Sequence, residues 1–278
     1  MTNMAAFHHT PVLELNTCRH IAIMGDTHGD GRAVIAGLKF ARAHGVELVL
    51  HVGDFVGYND KEGSAYRKAV SRQLSLYGQR MLITFGNHDD YSTISALEGT
   101  DQPTLEIGER LEVFNRPAAF SVNGKTGISF SGATSINRRT LRENIDWWPQ
   151  ERISLGDLYR LEAMVAGMDE IDFMITHDAP IGKTLDDALN ELRAEQAARG
   201  WSFSPEDEAY AQESQVAIER AVGITQPKNL FHGHHHLRYT EVFGNTLVQG
   251  LSMNKMNGNT VIVDTEDFSV VAEWSWAS

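Results

Sequence analysis

Cysteine is nearly absent. One residue, Cys18, stands in 278. A lone thiol forms no disulfide within its chain, and a cysteine-built zinc site is excluded with it. Positive charge is also scarce: 24 Lys and Arg against 37 Asp and Glu give a formal net charge of −13. Binding to duplex nucleic acid leans on Lys and Arg to neutralise phosphates, so none is expected here. A small phosphorylated ligand at a local cationic centre stays open. No stretch approaches the roughly 20 apolar residues of a membrane span. Met1 to Thr10 holds no basic residue and no apolar run of signal-peptide length. A cytoplasmic protein without membrane contact is expected, and His8-His9 reads as tail sequence. The sequence leaves the oligomeric state open.

Hydrophobic residues make up 42%, enough for a sizeable core. Residues 1–18 read as a loosely held N-terminal arm. Residues 19–278 read as one domain, with an irregular insertion near 134–152 and a charged helical segment at 184–222. Residues 19–24 form a short apolar run, a buried strand. After Gly25, Val34, Ile35, Leu38 and Ala41 recur at helical spacing, which predicts a helix over 32–44. A second strand is predicted at 47–52, a helix at 63–77 and a third strand at 81–85. This order implies parallel strands with right-handed crossovers, so the three strand ends share one edge. Ligand sites in such sheets lie outside the carboxyl ends of the strands. Short strands are predicted at 112–114, 119–122 and 127–131, a helix at 155–166 and a strand at 172–176. Further helices are predicted at 184–199 and 206–222, then a strand at 229–231. From Tyr239 onward, short strands alternate with turns.

The predicted strand ends carry Asp26, His28, Asp54, Asn87, His177, His234 and His236. Such oxygen and nitrogen donors suit a borderline divalent ion. Seven are too many for one tetrahedral ion and fit two ions sharing a carboxylate. His20, His44, His51 and His232 read as ordinary core or surface residues. His235, between two candidate ligands, points the other way by strand alternation. Asp30, Asp90 and Asp178 are either carboxylates supporting ligating histidines or solvated turn residues. Arg138-Arg139 follows a predicted strand end, and Arg suits bidentate phosphate binding, so one of them is a candidate substrate contact. A solvated charge pair is the plainer reading. Trp147-Trp148 reads as packing or as the lining of a substrate cleft.

Asp26-Thr27-His28, Gly53-Asp54, Gly86-Asn87-His88-Asp89, His177 and Gly233-His234-His235-His236 occur in the order of the calcineurin-like metallophosphoesterase motifs. The chain resembles that family over residues 26–236. The resemblance implies an α/β fold, a four-layer αββα sandwich of two mixed β-sheets flanked by helices. It implies one metal on Asp26, His28, Asp54 and His236, and another on Asp54, Asn87, His177 and His234, with Asp54 bridging. His88 would stand near the scissile phosphate as an acid, with Asp89 orienting it. The ions would be divalent, Mn²⁺ first, with Fe, Zn or Ni as alternatives. A hydroxide bridging them would attack a small phosphomonoester or phosphodiester, a nucleotide among the candidates. Two-metal sites of this kind hold ions about 3.5–4 Å apart and clamp the attacking and leaving oxygens.

The phosphoprotein phosphatase branch shows Gly-Asp-x-Val-Asp-Arg-Gly and Gly-Asn-His-Glu. Here Gly53-Asp54-Phe55-Val56-Gly57-Tyr58-Asn59 lacks that Arg, and Asp89 stands for Glu. The expectation therefore tilts to small substrates. A serine/threonine protein phosphatase and a non-catalytic scaffold on the same fold are the alternatives.

Overall fold

The computed structural model describes residues 12–58, 60–97 and 100–276; His8-His9 lies outside the described residues. The first half runs β1 (Leu13–Leu15), β2 (His20–Met24), α1 (Gly31–Ala43), β3 (Leu48–His51), α2 (Lys61–Tyr77) and β4 (Arg80–Ile83). As expected, β2, β3 and β4 are parallel neighbours. Asp30 starts α1, its carboxylate accepting from the Arg32 and Ala33 amides. Asp90 does the same for the short helix α3 (Tyr91–Ile94), accepting from Ser92. Both aspartates thus serve as helix N-caps, satisfying amides that have no partner inside the helix.

The chain continues through β5 (Thr104–Gly108), β6 (Leu111–Phe114), β7 (Ala118–Val122), β8 (Lys125–Phe130), α4 (Leu155–Val165), β9 (Phe173–Thr176), α5 (Lys183–Ala198) and α6 (Pro205–Thr225). It ends with β10 (Asn229–His232), β11 (Tyr239–Phe243), β12 (Thr246–Gly250), β13 (Thr260–Asp264) and β14 (Val270–Glu273). Two mixed seven-stranded sheets result. One has the order β14-β13-β2-β3-β4-β6-β5 and the other β1-β7-β8-β9-β10-β12-β11.

Strand periodicity builds the layers. Side chains alternate across a strand, and here both faces are buried, so the strands read as continuous apolar runs. Ile21, Ile23, Leu48, Leu50 and Leu82 from the first sheet meet Phe120, Phe173, Ile175 and Phe231 from the second. Their neighbours Ala22, Met24, Val49, Met81 and Ile83 face Val34 and Leu38 of α1 and Val70 and Leu74 of α2. Ile128, Met174 and Leu230 face Leu161 of α4 and Ile218 and Ala221 of α6. The order is helix, sheet, sheet, helix, the four layers expected.

Residues 13–15 are not loose. They pair in parallel with β7 over Leu13–Phe120 to Leu15–Val122, and Leu15 is buried between the sheets. A three-residue run is too short for its alternation to stand out. The strand β5 was not expected; it is half-buried at the edge of its sheet, with Gly108 at a register shift against β6.

Candidate metal centre

Parallel strands put their C-terminal ends on one edge. The loops after β2, β3 and β4 meet the loops after β9 and β10 there, and all seven expected donors converge. Asp54 Oδ1 lies 3.2 Å from His177 Nε2, and Asp54 Oδ2 lies 3.3 Å from His28 Nε2. Asp26 Oδ2 lies 3.1 Å from His236 Nε2. Asn87 Oδ1 lies 3.2 Å from His177 Nε2. The His177 and His234 rings touch edge to face at 5.1 Å, as do those of His28 and His236 at 5.0 Å.

The donors fall into overlapping groups. Ligand atoms of Asp26, His28 and His236 lie within 4.8 Å of one another, as do those of Asp26, Asp54 and His177. His88 joins His28 and Asp54 in a third group of the same span. Its amide donates to Asp54 Oδ1 at 2.9 Å, and its ring is 5.7 Å from that of His28.

The backbone is bent to make this possible. His28, Asp54, His234 and His236 have φ of 47°, 54°, 65° and 56°. Non-glycine residues seldom occupy this left-handed region, and where they do they cluster at functional sites. Close approach also dictates the motif glycines. A Cβ on Gly86 would strike the Asp54 carboxylate, and one on Gly233 would strike that of Asp26.

Electrostatics point the same way. Asp26 and Asp54 are buried, and their described charged partners are imidazoles. Burial works against charge on His177, but Asp54 and Asp26 outweigh it and push the ring up to about 10. Two buried carboxylates thus call for a cation. The Val52 carbonyl lies 2.9 Å from His177 Nδ1, which holds the ring with Nε2 turned to Asp54 and Asn87. An ion that takes the place of the proton on Nε2, with Nδ1 still donating to that carbonyl, would meet an Nε2 lone pair, a carboxylate oxygen and an amide oxygen together, an arrangement suited to a shared divalent ion. Desolvation pushes His234 down to about 3, leaving it neutral, the form that binds metal. The residues present fit a metal pair.

Neighbouring residues are sorted by the structure. His51 and His232 are buried and bonded, to Thr27 Oγ1 at 3.1 Å and Tyr239 Oη at 2.9 Å, and burial lowers each to about 3. His235 turns to Asp178, Nε2 to Oδ1 2.8 Å. Asp178 is buried rather than solvated, and also accepts from the Ala179 amide and the Ser214 hydroxyl.

The expected orientation of His88 by Asp89 is not what the described bonds provide. Asp89 accepts from the amides of Asp54, Val56 and Gly86 at 2.7–2.9 Å. Its carboxylate ties the loop after β3 to the loop after β4. Nor do the described contacts bring Arg138 or Arg139 to the cluster. Arg139 pairs with Glu206 and, at 3.0 Å, Asp207, while Arg138 stacks on the Tyr210 ring at 3.4 Å. Both are engaged by the N-terminal half of α6, whose acidic first turn attracts cations. Trp148 is buried and stacks near Tyr58, with ring centres 5.8 Å apart, so it packs segment 134–152 onto the loop after β3.

Two residues escaped the sequence reading. Ser135 Oγ accepts from Asn87 Nδ2 at 3.1 Å, and Glu151, fully buried, accepts from the Ser135 hydroxyl at 2.7 Å. Their one sequence signal was position, in the irregular stretch after an apolar strand.

No match was found among curated proteins. Solved structures with this fold include TT1561 of Thermus thermophilus, 13% identical, with TM-score 0.54 over 93% of this chain and 99% of that one. A dimetal phosphatase from Danio rerio is 11% identical, with TM-score 0.52 over 94% of this chain and 100% of that one. The calcineurin-like phosphoesterase model matches residues 19–238. The chain therefore belongs to the calcineurin-like phosphoesterase family, and is a hydrolase of phosphate ester bonds.

Proposed function

We propose that this protein hydrolyses a small phosphomonoester or phosphodiester, with nucleotides among the candidates, at a pair of divalent ions. Asp26, His28, Asp54 and His236 would hold one ion and Asp54, Asn87, His177 and His234 the other. The observation that carries the reading is Asp54, a buried carboxylate with one oxygen toward His177 and the other toward His28. A carboxylate between two donor groups is what a bridged pair needs. The mixed oxygen and nitrogen set suits a borderline divalent ion, and we put Mn²⁺ first with Fe, Zn or Ni as alternatives. When bound, the pair would supply Lewis acidity and lower the pKa of water at the site.

The chain's own residues do the rest. His88 keeps its amide on Asp54 and its half-buried ring beside His28, at the rim where a leaving oxygen would depart. It would donate a proton to that oxygen, a role worth about 10²–10⁴-fold. Asp89 holds the two loops in register through three amides. Small substrates are favoured because Arg138 and Arg139 are engaged by α6 and the chain carries a net charge of −13.

The test is a panel of phosphomonoesters, cyclic nucleotides, dinucleotides, single-stranded nucleic acid and a phosphoprotein, assayed with Mn²⁺. Fastest turnover on a small ester is expected. Phosphoprotein turnover above all the others would overturn the substrate reading.

A further inference from the structure

Asn87 is useful to a metal only through its oxygen. An amide is nearly symmetric in shape, so something must decide which end faces the cluster. The structure contains that something, 48 and 64 residues further along the chain. Asn87 Nδ2 donates to Ser135 Oγ at 3.1 Å. The Ser135 hydroxyl donates to Glu151 Oε2 at 2.7 Å, and the Ser135 amide to Oε1 at 2.6 Å. The Tyr210 hydroxyl also donates to Oε1, at 3.3 Å.

The direction of these bonds is fixed by the acceptor at the end. Above about pH 7 Glu151 is ionised, and an ionised carboxylate accepts only. It therefore takes the proton of the Ser135 hydroxyl, leaving Ser135 Oγ its lone pairs. Only the N–H₂ end of Asn87 can donate to those lone pairs. The oxygen end is left on the side of His177 Nε2, 3.2 Å away. Glu151, Ser135 and Asn87 are all buried, so water is not at hand to replace a missing partner.

We propose that Glu151 is a positioning residue for the metal centre, acting through Ser135 to lock the Asn87 amide with its oxygen toward the cluster. The inference rests on the two-ion reading above and deepens it. It also gives a role to a buried carboxylate that, among the described residues, faces Tyr210 and Ser135 and forms no ion pair. The 3₁₀ turn Pro149–Glu151 delivers it.

Glu151→Gln preserves size but offers one acceptor oxygen. With that oxygen on the Ser135 amide and the Tyr210 hydroxyl, the new N–H₂ meets Ser135 Oγ. The Ser135 hydroxyl is then released to donate to Asn87, which answers best with its oxygen. That turns the amide N–H₂ toward the cluster, where it cannot bind an ion. Ser135→Ala removes the relay altogether. Ser135→Thr keeps the hydroxyl.

The test is calorimetric titration of the chelator-stripped full chain with Mn²⁺ at about pH 8, where Glu151 is ionised, beside melting of the ion-free chain. For Ser135→Ala and Glu151→Gln, one of the two ions is expected to bind about 10–100-fold more weakly and the other as in the natural chain. Ser135→Thr is expected to bind both ions as the natural chain does. Turnover by the two weakened variants should recover at saturating Mn²⁺, because the defect is in positioning. Should Glu151→Gln fail to fold, Ser135→Ala decides. Natural affinity for both ions in Ser135→Ala, or equal weakening of both ions together with a lowered melting temperature, overturns the proposal. A natural chain that takes up no pair of ions contradicts the proposed function and this inference with it. A natural chain that binds two, with variants that do likewise, contradicts this inference alone.

Discussion

Asp54 meets His177 at 3.2 Å, in a buried contact that joins the two β-sheets: Asp54 follows β3 of one sheet and His177 follows β9 of the other. The other Asp54 oxygen faces His28. If this carboxylate is shared by two ions, Asp54→Asn should disturb both. The expected outcome is a loss of two-ion stoichiometry and a fall in turnover of at least about 10²–10³-fold, the scale of losing a preorganised electrostatic group. Metal analysis and steady-state rates check it; two tightly held ions in the variant would count against a shared ligand.

His88 has a separate assignment. His88→Ala should keep both ions, because its ring stands at the rim, and should lose about 10²–10⁴-fold in kcat. Substrates with a good leaving group should suffer less, since they need less help from an acid. Full turnover in a metal-replete variant would remove the role.

Asp89 is the pin between two loops, and its loss should register as stability. Asp89→Ala leaves three amides at 54, 56 and 86 without their acceptor. Buried donors left unsatisfied cost about 1–3 kcal/mol each, partly relieved by water. Denaturant unfolding of the ion-free chain should shift by a few kcal/mol, on the order of one to two such losses. A midpoint equal to that of the natural chain would show that the loops hold without it.

Glu151 gives the pH prediction. Burial, the largest influence, raises this carboxyl from 4.5 to about 7, against the lowering effect of its bonds from Ser135. The groups facing it are Ser135, Trp147 and Tyr210, and the tyrosine is itself pushed up and stays neutral. An acid with a raised folded pKa holds its proton more tightly when folded. Its contribution is complete below about pH 4.5 and is lost as the pH rises through about 7. Between pH 5 and 8 the ion-free natural chain should therefore lose more stability than Glu151→Gln, by up to roughly 3 kcal/mol. Parallel pH profiles would show that this carboxyl does not titrate in that window.

Arg138 and Arg139 should matter little to substrate. Arg139 is half-exposed and paired with Glu206 and Asp207, and exposed pairs are worth about 0–1 kcal/mol. Arg139→Ala should leave KM for small esters nearly unchanged. A rise of about tenfold, equal to some 1.4 kcal/mol of lost binding, would restore it as a phosphate contact.

Much of this architecture is legible in the sequence because the central strands are buried on both faces. Ile21 to Met24, Leu48 to Val52 and Met81 to Phe85 read as mainly apolar runs, and each is followed by Gly and then Asp or Asn. That change of chemistry at a strand end is what makes Asp26, Asp54 and Asn87 visible. The edge strands β1 and β5 are short or half-buried and leave no such mark. The supporting carboxylates are hidden for a different reason. Asp89 bonds to amides, which every residue possesses, and Glu151 reaches Asn87 through a serine 48 residues away from it. No local pattern announces either. One of Arg138 and Arg139 reads as a candidate substrate contact because the acids that occupy them, Glu206 and Asp207, lie more than 60 residues further on.

The central claim is a bridged pair of divalent ions on seven residues from two sheets. Its most direct test is metal content measured against turnover, with the chain stripped by a chelator and reloaded stepwise with Mn²⁺. The account predicts two ions per chain, phosphate ester hydrolysis absent from the stripped protein, and activity that returns as the second ion binds. Hydrolysis that survives complete removal of metal, or full activity with one ion per chain, would contradict it.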